Sequence, residues 1–412
     1  MIEPARKKRG SVCVLLALAC AVGLACLMQP ATAWGQSITG PVRLNQRSIR
    51  CANPCVAMGP SGGAIAVWDG YDEKGARHVW VSDQDAAGRW GPELKLSAGM
   101  PGASFEPAVA VDPKGYPHVV WSSRDGSTSH IYYSRRRGNV VLPGAPADAA
   151  EWSLPEKLDL TVSRNCELPS IAFDDAGRPF VLWQEGLGMQ YRIFAAWAPY
   201  KGKWRVEPLC PSQETGDCFD PQLVTGRRLM AVWYQSDDAG LTLQAAIAPG
   251  GPDEQWTMTR LTALDGLPAD RLPSIHRDGQ GRLWALWTDT KGGVLERALM
   301  APGQESAGLG ATLQVDDQPD ATNRHPVVNG GPAKSFALSW IVEKDGDRRI
   351  AIRLLSPEAV PANPSVMISD PSDTHVDSPS LCLAPDGRAH TAWDSDFSGG
   401  GTGDVFYACV AF

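Results

Sequence analysis

A tryptophan that ends an apolar run recurs seven times along this chain, a proline precedes each one at a near-constant distance, and the segments between alternate with the period of β-strands. These observations predict an all-β fold: a seven-bladed β-propeller closed by an N-terminal strand that completes the last blade. The tryptophans are Trp68, Trp121, Trp183, Trp233, Trp287, Trp340 and Trp393, at intervals of 53, 62, 50, 54, 53 and 53 residues. The prolines are Pro54, Pro107, Pro169, Pro221, Pro273, Pro326 and Pro379, each 14 residues before its tryptophan except in the fourth repeat, where the distance is 12. The long second interval holds a Pro/Ala/Gly-rich insertion near residues 140–150, which reads as a surface loop.

Each repeat spells out its strands in order. Pro107-Ala-Val-Ala-Val111 alternates small and large side chains, Asp112-Pro-Lys-Gly115 turns the chain, and His118-Val-Val-Trp121 runs back. Glycine stands eight residues after the proline in five repeats (Gly62, Gly115, Gly177, Gly281, Gly387), where a hairpin needs positive φ. A third strand comes next, as in His130-Ile-Tyr-Tyr133. A fourth begins after a second tryptophan in the first four repeats: Trp90, Trp152, Trp204 and Trp256. The seventh repeat ends at Phe412 without its fourth strand, while Gly40-Pro-Val-Arg-Leu44 looks like a fourth strand without a blade. Pairing the two removes exposed edges, so the domain is expected to span 38–412. The repeat tryptophan is expected to fill the wedge between blades.

The first 33 residues read as a signal peptide, with a basic start (Arg6 to Arg9), an apolar stretch and small residues at Ala31-Thr32-Ala33. The apolar run is at the short limit for a membrane span, and no stop-transfer cluster comes after it. The expected product is exported to the periplasm or beyond, soluble and monomeric, with no membrane attachment after cleavage. Cleavage removes four basic residues and one acid, taking the net charge from −8 to −11. Such a chain lacks the clustered Lys and Arg that phosphate binding needs, which argues against nucleic acid. Seven cysteines remain, an odd number that leaves at least one unpaired. Cys51–Cys55 and Cys210–Cys218 are the nearest pairs. Cys166 and Cys218 hold equivalent places in neighbouring repeats, so that pairing also stays open.

In a propeller meander, the residues before each proline and after each tryptophan converge at one mouth of the central channel. Those positions supply a mostly acidic collar with one basic arc: Glu106, Glu167, Asp220, Asp270, Arg271, Arg324, His325 and Asp377 are the candidate ligand-binding residues. Asp394-Ser-Asp396-Phe-Ser398-Gly399 has the alternating oxygen donors of the first half of a calcium loop, so Asp394, Asp396 and Ser398 are candidate calcium ligands. No other cofactor is implied. Position twelve of that loop is Val405 where an EF-hand has Glu. No nucleophile elbow, zinc-binding helix motif or phosphate loop occurs, and the seven histidines show no ligand spacing. His118 and His390 read as packed strand residues.

The order of Pro, alternation, Asp-x-x-Gly, run to Trp, Tyr-containing strand and Gly-x-Trp resembles the sialidase-like (BNR, Asp-box) propellers, over residues from about 40 to 412. Ser82-Asp-Gln-Asp85-Ala-Ala-Gly88-Arg-Trp90 comes nearest to an Asp box and is one residue longer. For the sialidases, the resemblance implies six blades, three arginines on the substrate carboxylate, a Tyr–Glu nucleophile and an Asp acid/base. Arg271, within Asp270-Arg-Leu-Pro-Ser274, is similar to their first arginine motif, and Arg324 is its equivalent one repeat on. A third arginine and a Glu partner for Tyr234 do not appear. The reading is therefore a degenerate, non-catalytic member: an exported module that recognises a glycan or protein partner. A glycoside hydrolase or lyase working through collar carboxylates such as Glu106 and Asp220, and a purely structural role in the cell envelope, are the alternatives.

Overall fold

The computed structural model describes residues 37–412 apart from 86, 138–150, 162–163, 188–189, 201–202, 211–215, 226–227, 238–239, 252–253, 264–273, 278–282, 289–293, 301–311, 319, 331–335, 357–360 and 397–399. The signal segment and the 140–150 insertion lie outside the described residues. All the regular structure described is β: seven antiparallel sheets of four strands. Six are built from four consecutive strands. The seventh takes Val376–Leu383, Ala389–Ser395 and Val405–Ala411, and its fourth strand is the N-terminal Ser37–Arg43.

The first strands of the sheets are Ile49–Met58, Ala103–Val111, Asn165–Phe173, Asp217–Val224, Ser274–Arg277, Thr322–Gly330 and Val376–Leu383. Each touches the next in order, and that of sheet seven touches that of sheet one. Side chains stitch them together. Ser170 Oγ accepts the N–H of Leu223 at 3.3 Å, Ser274 Oγ that of Val328 at 3.3 Å, and Ser380 Oγ that of Val56 at 3.1 Å. Gln222 Oε1 does the same for Ile275 at 3.3 Å, and the Cys55 thiol for Val109. Ser380→Ala leaves the Val56 donor unpaired across the junction of sheets seven and one. We expect it to lower the unfolding free energy by about 1 kcal/mol in urea denaturation; an unchanged midpoint would remove the stitch from the account.

The hairpin signals act as read. In Asp112-Pro-Lys-Gly115 the aspartate Oδ1 accepts the N–H groups of Lys114 (2.9 Å) and Tyr116 (2.8 Å), and Gly115 takes a φ of 91°. Asp72 and Asp174 repeat the bonds. The repeat tryptophans are buried, and each described cluster sets its tryptophan against the preceding sheet. Trp121 packs on Val67 and Val79, Trp183 on Val120 and Ile131, and Trp68 on Ala392 and Val405 of sheet seven. Cys210 and Cys218 form the disulfide; Cys51, Cys55, Cys166, Cys382 and Cys409 are free. The Cys166–Cys218 and Cys51–Cys55 alternatives are thereby corrected.

One backbone feature was not foreseen. In six of the first strands the ladder breaks at the proline, which has no N–H to give. The residue before it is left-handed: Asn53, Glu106, Leu168, Asp220, His325 and Ser378 have φ between 46° and 52°. Six non-glycine residues in this region, each at a cost of about 1–3 kcal/mol, place one side chain per sheet at the same end of the first strands.

Candidate functional site: the channel mouth and its side groove

Five of these left-handed residues converge. Asn53, Glu106, Leu168, Asp220 and Ser378 line one cavity of about 360 Å³ with Gln222 and five of the repeat prolines. The collar therefore forms in part. Glu106 and Asp220 are at the mouth. Burial pushes the Asp220 carboxyl up, against one hydrogen bond from Gln222. Burial also raises that of Glu106, with the charge of Glu167 adding to it; the N–H of Leu168, 3.0 Å from Oε2, works against both.

Other expected members sit elsewhere. Glu167 does not line the mouth; Leu168 takes its place, because the bulge turns the pre-proline residue inward and its neighbour outward. Arg324 pairs with Glu343 at 2.8 Å, away from the cavity. The side chain of His325 is 62 % exposed, and its Nδ1 lies 3.0 Å from Asp377 Oδ1. Burial pushes the Asp377 carboxyl up, but the His325 contact, the Ser378 N–H and the Arg348 charge outweigh it and hold it below the usual range. Asp270 and Arg271, like Ser398, lie outside the described residues. The basic arc opposite the acids is thus not assembled among the described residues.

Asp69, which stands directly after Trp68, anchors the mouth. Its buried carboxylate accepts Nε and Nη2 of Arg77 (2.8 and 2.7 Å), Asn53 Nδ2 (2.9 Å) and the N–H of Glu106 (3.0 Å). In the same way Gln184, after Trp183, accepts the N–H of Asp220 at 3.2 Å. Asp394 holds the equivalent place in sheet seven and has no such cation among the described residues. Its Oδ1 is buried without a hydrogen-bond partner, and Asp377, Asp396 and Asp69 surround it. Asp396 Oδ2 meets Arg348 Nη1 at 3.2 Å. Among the described residues no group of three ligating side chains is placed to hold a metal ion. Tyr234 is buried, its phenol pushed well above the ordinary range first by burial and then by Asp220. His118 and His390 are packed, each with Nδ1 hydrogen-bonded to a tyrosine hydroxyl (Tyr133, Tyr407) at 2.6 Å.

A second cavity of about 580 Å³ opens beside the mouth, between sheets one and two, and shares Glu106 with it. Tyr71, Arg77, Phe105, Arg124 and Glu167 line it. Arg77 and Arg124 both lie over the Phe105 ring, 5.5 and 5.4 Å from its centroid. Sequence reasoning passed over both arginines, which stand at strand ends on different sheets with no spacing that marks them.

No family model matches the chain, and no curated protein matches it. Solved structures do. A protein of unknown function from Dyadobacter fermentans aligns with a TM-score of 0.55 at 12% identity, over 92% of this chain and 99% of that one. The polysaccharide lyase Uly1 aligns with a TM-score of 0.55 at 11% identity, over 90% and 99%. A K499G mutant of the NanB sialidase from Streptococcus pneumoniae aligns with a TM-score of 0.50 at 11% identity, over 90% and 70%. At such identities the likeness is one of fold: a β-propeller, the fold these structures share.

Proposed function

We propose that the chain is an exported, closed seven-bladed propeller that binds a glycan across the mouth and its side groove without turning it over. The unbroken succession of first-strand contacts and the pairing of Ser37–Arg43 into sheet seven support the closed ring. The observation that carries the binding reading is Glu106. It borders both cavities, so a ligand that spans mouth and groove passes over it, with prolines and Phe105 as the apolar surface and carboxylates and guanidiniums as the polar groups. Clefts of this make-up, apolar walls with a few fixed polar groups, suit polyhydroxylated ligands. A glycan array on the mature protein, then calorimetry on a hit, tests it. Glu106→Gln, which keeps an acceptor for Leu168, should weaken binding by roughly tenfold. An array without a hit, alongside capture of a defined protein, would move the partner from glycan to protein.

The neighbouring carboxyls of Glu106 and Glu167 favour one other reading, glycoside cleavage, which needs two carboxyls about 5–9.5 Å apart around the sugar. Turnover of aryl glycosides that Glu106→Gln abolishes would replace the binding reading with that one.

A further inference from the structure

The two arginines of the side groove are held differently by the fold. Arg77 is fixed, giving Nε and Nη2 to the buried Asp69, and its Nη1 has no partner among the described residues. Arg124 gives one hydrogen bond, Nη2 to Glu167 Oε1 at 3.2 Å; its Nε and Nη1 have no partner among the described residues. The side chains of that pair are 48% and 26% exposed. Such a solvated, single contact contributes only about 0–1 kcal/mol, so it exchanges readily. Phe105, meanwhile, lies under the Arg124 guanidinium, 5.4 Å from ring centroid to Cζ, a cation–π contact that does not involve Glu167.

We propose that the side groove takes an oxyanion carried on a sugar, a carboxylate or a sulfate ester, and that Arg124 leaves Glu167 to hold it. The proposal rests on the glycan reading and narrows it to anionic glycans. The planar fork of a guanidinium donates two parallel hydrogen bonds to either oxyanion, and these charge-assisted bonds are about twice as strong as neutral ones. A sugar hydroxyl offers no charge with which to displace Glu167. Arg77 Nη1, across the same ring, adds a second donor. The mature chain has a net charge of −11, so diffuse attraction for polyanions is against it and any anionic polymer that binds must be held locally.

The test is calorimetry of the mature protein with dextran sulfate, polygalacturonate and unsulfated dextran at fixed ionic strength. The expected result is at least tenfold tighter binding of one charged polymer than of dextran, and which polymer binds tells sulfate from carboxylate. Arg124→Ala should lose at least tenfold. Glu167→Gln should bind severalfold tighter than wild type, because Arg124 is released. An ion pair that serves only the fold would let neither variant change affinity, or would let Glu167→Gln weaken it; either result overturns the proposal. If dextran binds equally well and Arg124→Ala leaves that binding intact, the oxyanion site falls while the glycan reading stands. If no polymer binds and a glycan array is also blank, both fall.

Discussion

A chain lacking residues 37–45 should run as aggregate on size exclusion and lose its cooperative melt. Every residue of Ser37–Arg43 is exposed, so the strand itself buries little. The clasp lies at its C-terminal end, in Arg43, Leu44 and Asn45. Leu44 is buried and donates its N–H to Val405 O at 2.8 Å, and Arg43 pairs with Asp404 at 2.8 Å. Asn45 accepts the N–H of Val405 (2.9 Å) and gives Nδ2 to Ser48 O (3.0 Å) and Asp404 Oδ1 (2.9 Å). Losing the leucine alone removes roughly 2–5 kcal/mol, and the asparagine bonds add about 1 kcal/mol each. That sum approaches the whole stability of an ordinary domain. The deletion also strips the edge from Val405–Ala411, a strand whose side chains are mostly buried, and an open apolar edge pairs with other chains. Asn45→Ala is the milder probe and should cost about 2–3 kcal/mol in urea while leaving the protein monomeric. A truncated chain that stays monomeric with the wild-type melt would show that sheet seven does not need its N-terminal strand.

The fold was legible because its signals are local and repeated. A proline 14 residues before a tryptophan, in six repeats, and an aspartate three before a glycine, in three, each report one strand or one turn, and the copies correct one another's noise. The same repetition located Glu106 and Asp220. It failed by one residue at Glu167, because a β-bulge exchanges the inward and outward faces of a strand and nothing in Cys166-Glu-Leu168 says which residue the bulge will take. In five of the six sheets with this bulge the pre-proline residue is the one that lines the mouth, while His325 in the sixth is exposed, a pattern visible only when six φ angles stand side by side. Arg77 and Arg124 were out of reach for another reason. Each is an ordinary strand-end arginine, and what makes them a pair is the Phe105 ring, contributed by the first strand of sheet two and flanked from two directions. Contacts between sheets have no period in the sequence.

Asp394→Asn should stabilise the protein at pH 8 by several kcal/mol and leave it nearly unchanged at pH 4. The wild-type carboxyl is 4% exposed, its Oδ1 has no partner, and three other aspartates surround it. Burial first, then the charges of Asp377 and Asp396, raise it to about 7 against a hydrogen bond from Ser378. Arg348 does not relieve it, being engaged by Asp396, Glu343 and Asp377; His325 is turned to Asp377, and Arg77 to Asp69. In the unfolded chain the same group titrates near 4. Between those values the folded state binds the extra proton, so stability falls as pH rises from about 4 to about 7 and is level beyond. The gap corresponds to roughly 4 kcal/mol, which an asparagine of the same shape avoids. Glu106 and Asp220 are raised too and give the wild type a slope of the same sign, so the informative quantity is the difference between variant and wild type at each pH. Denaturant unfolding of both at pH 4, 6 and 8 supplies it. A calcium ion on Asp394 and Asp396 would reverse the outcome, since the carboxylate would then be wanted in its charged form. In that case calcium raises the wild-type melt at pH 8, and Asp394→Asn loses both that rise and the stability. A variant that gains at pH 8 and ignores calcium identifies Asp394 as a proton carrier at the joint between the last sheet and the first.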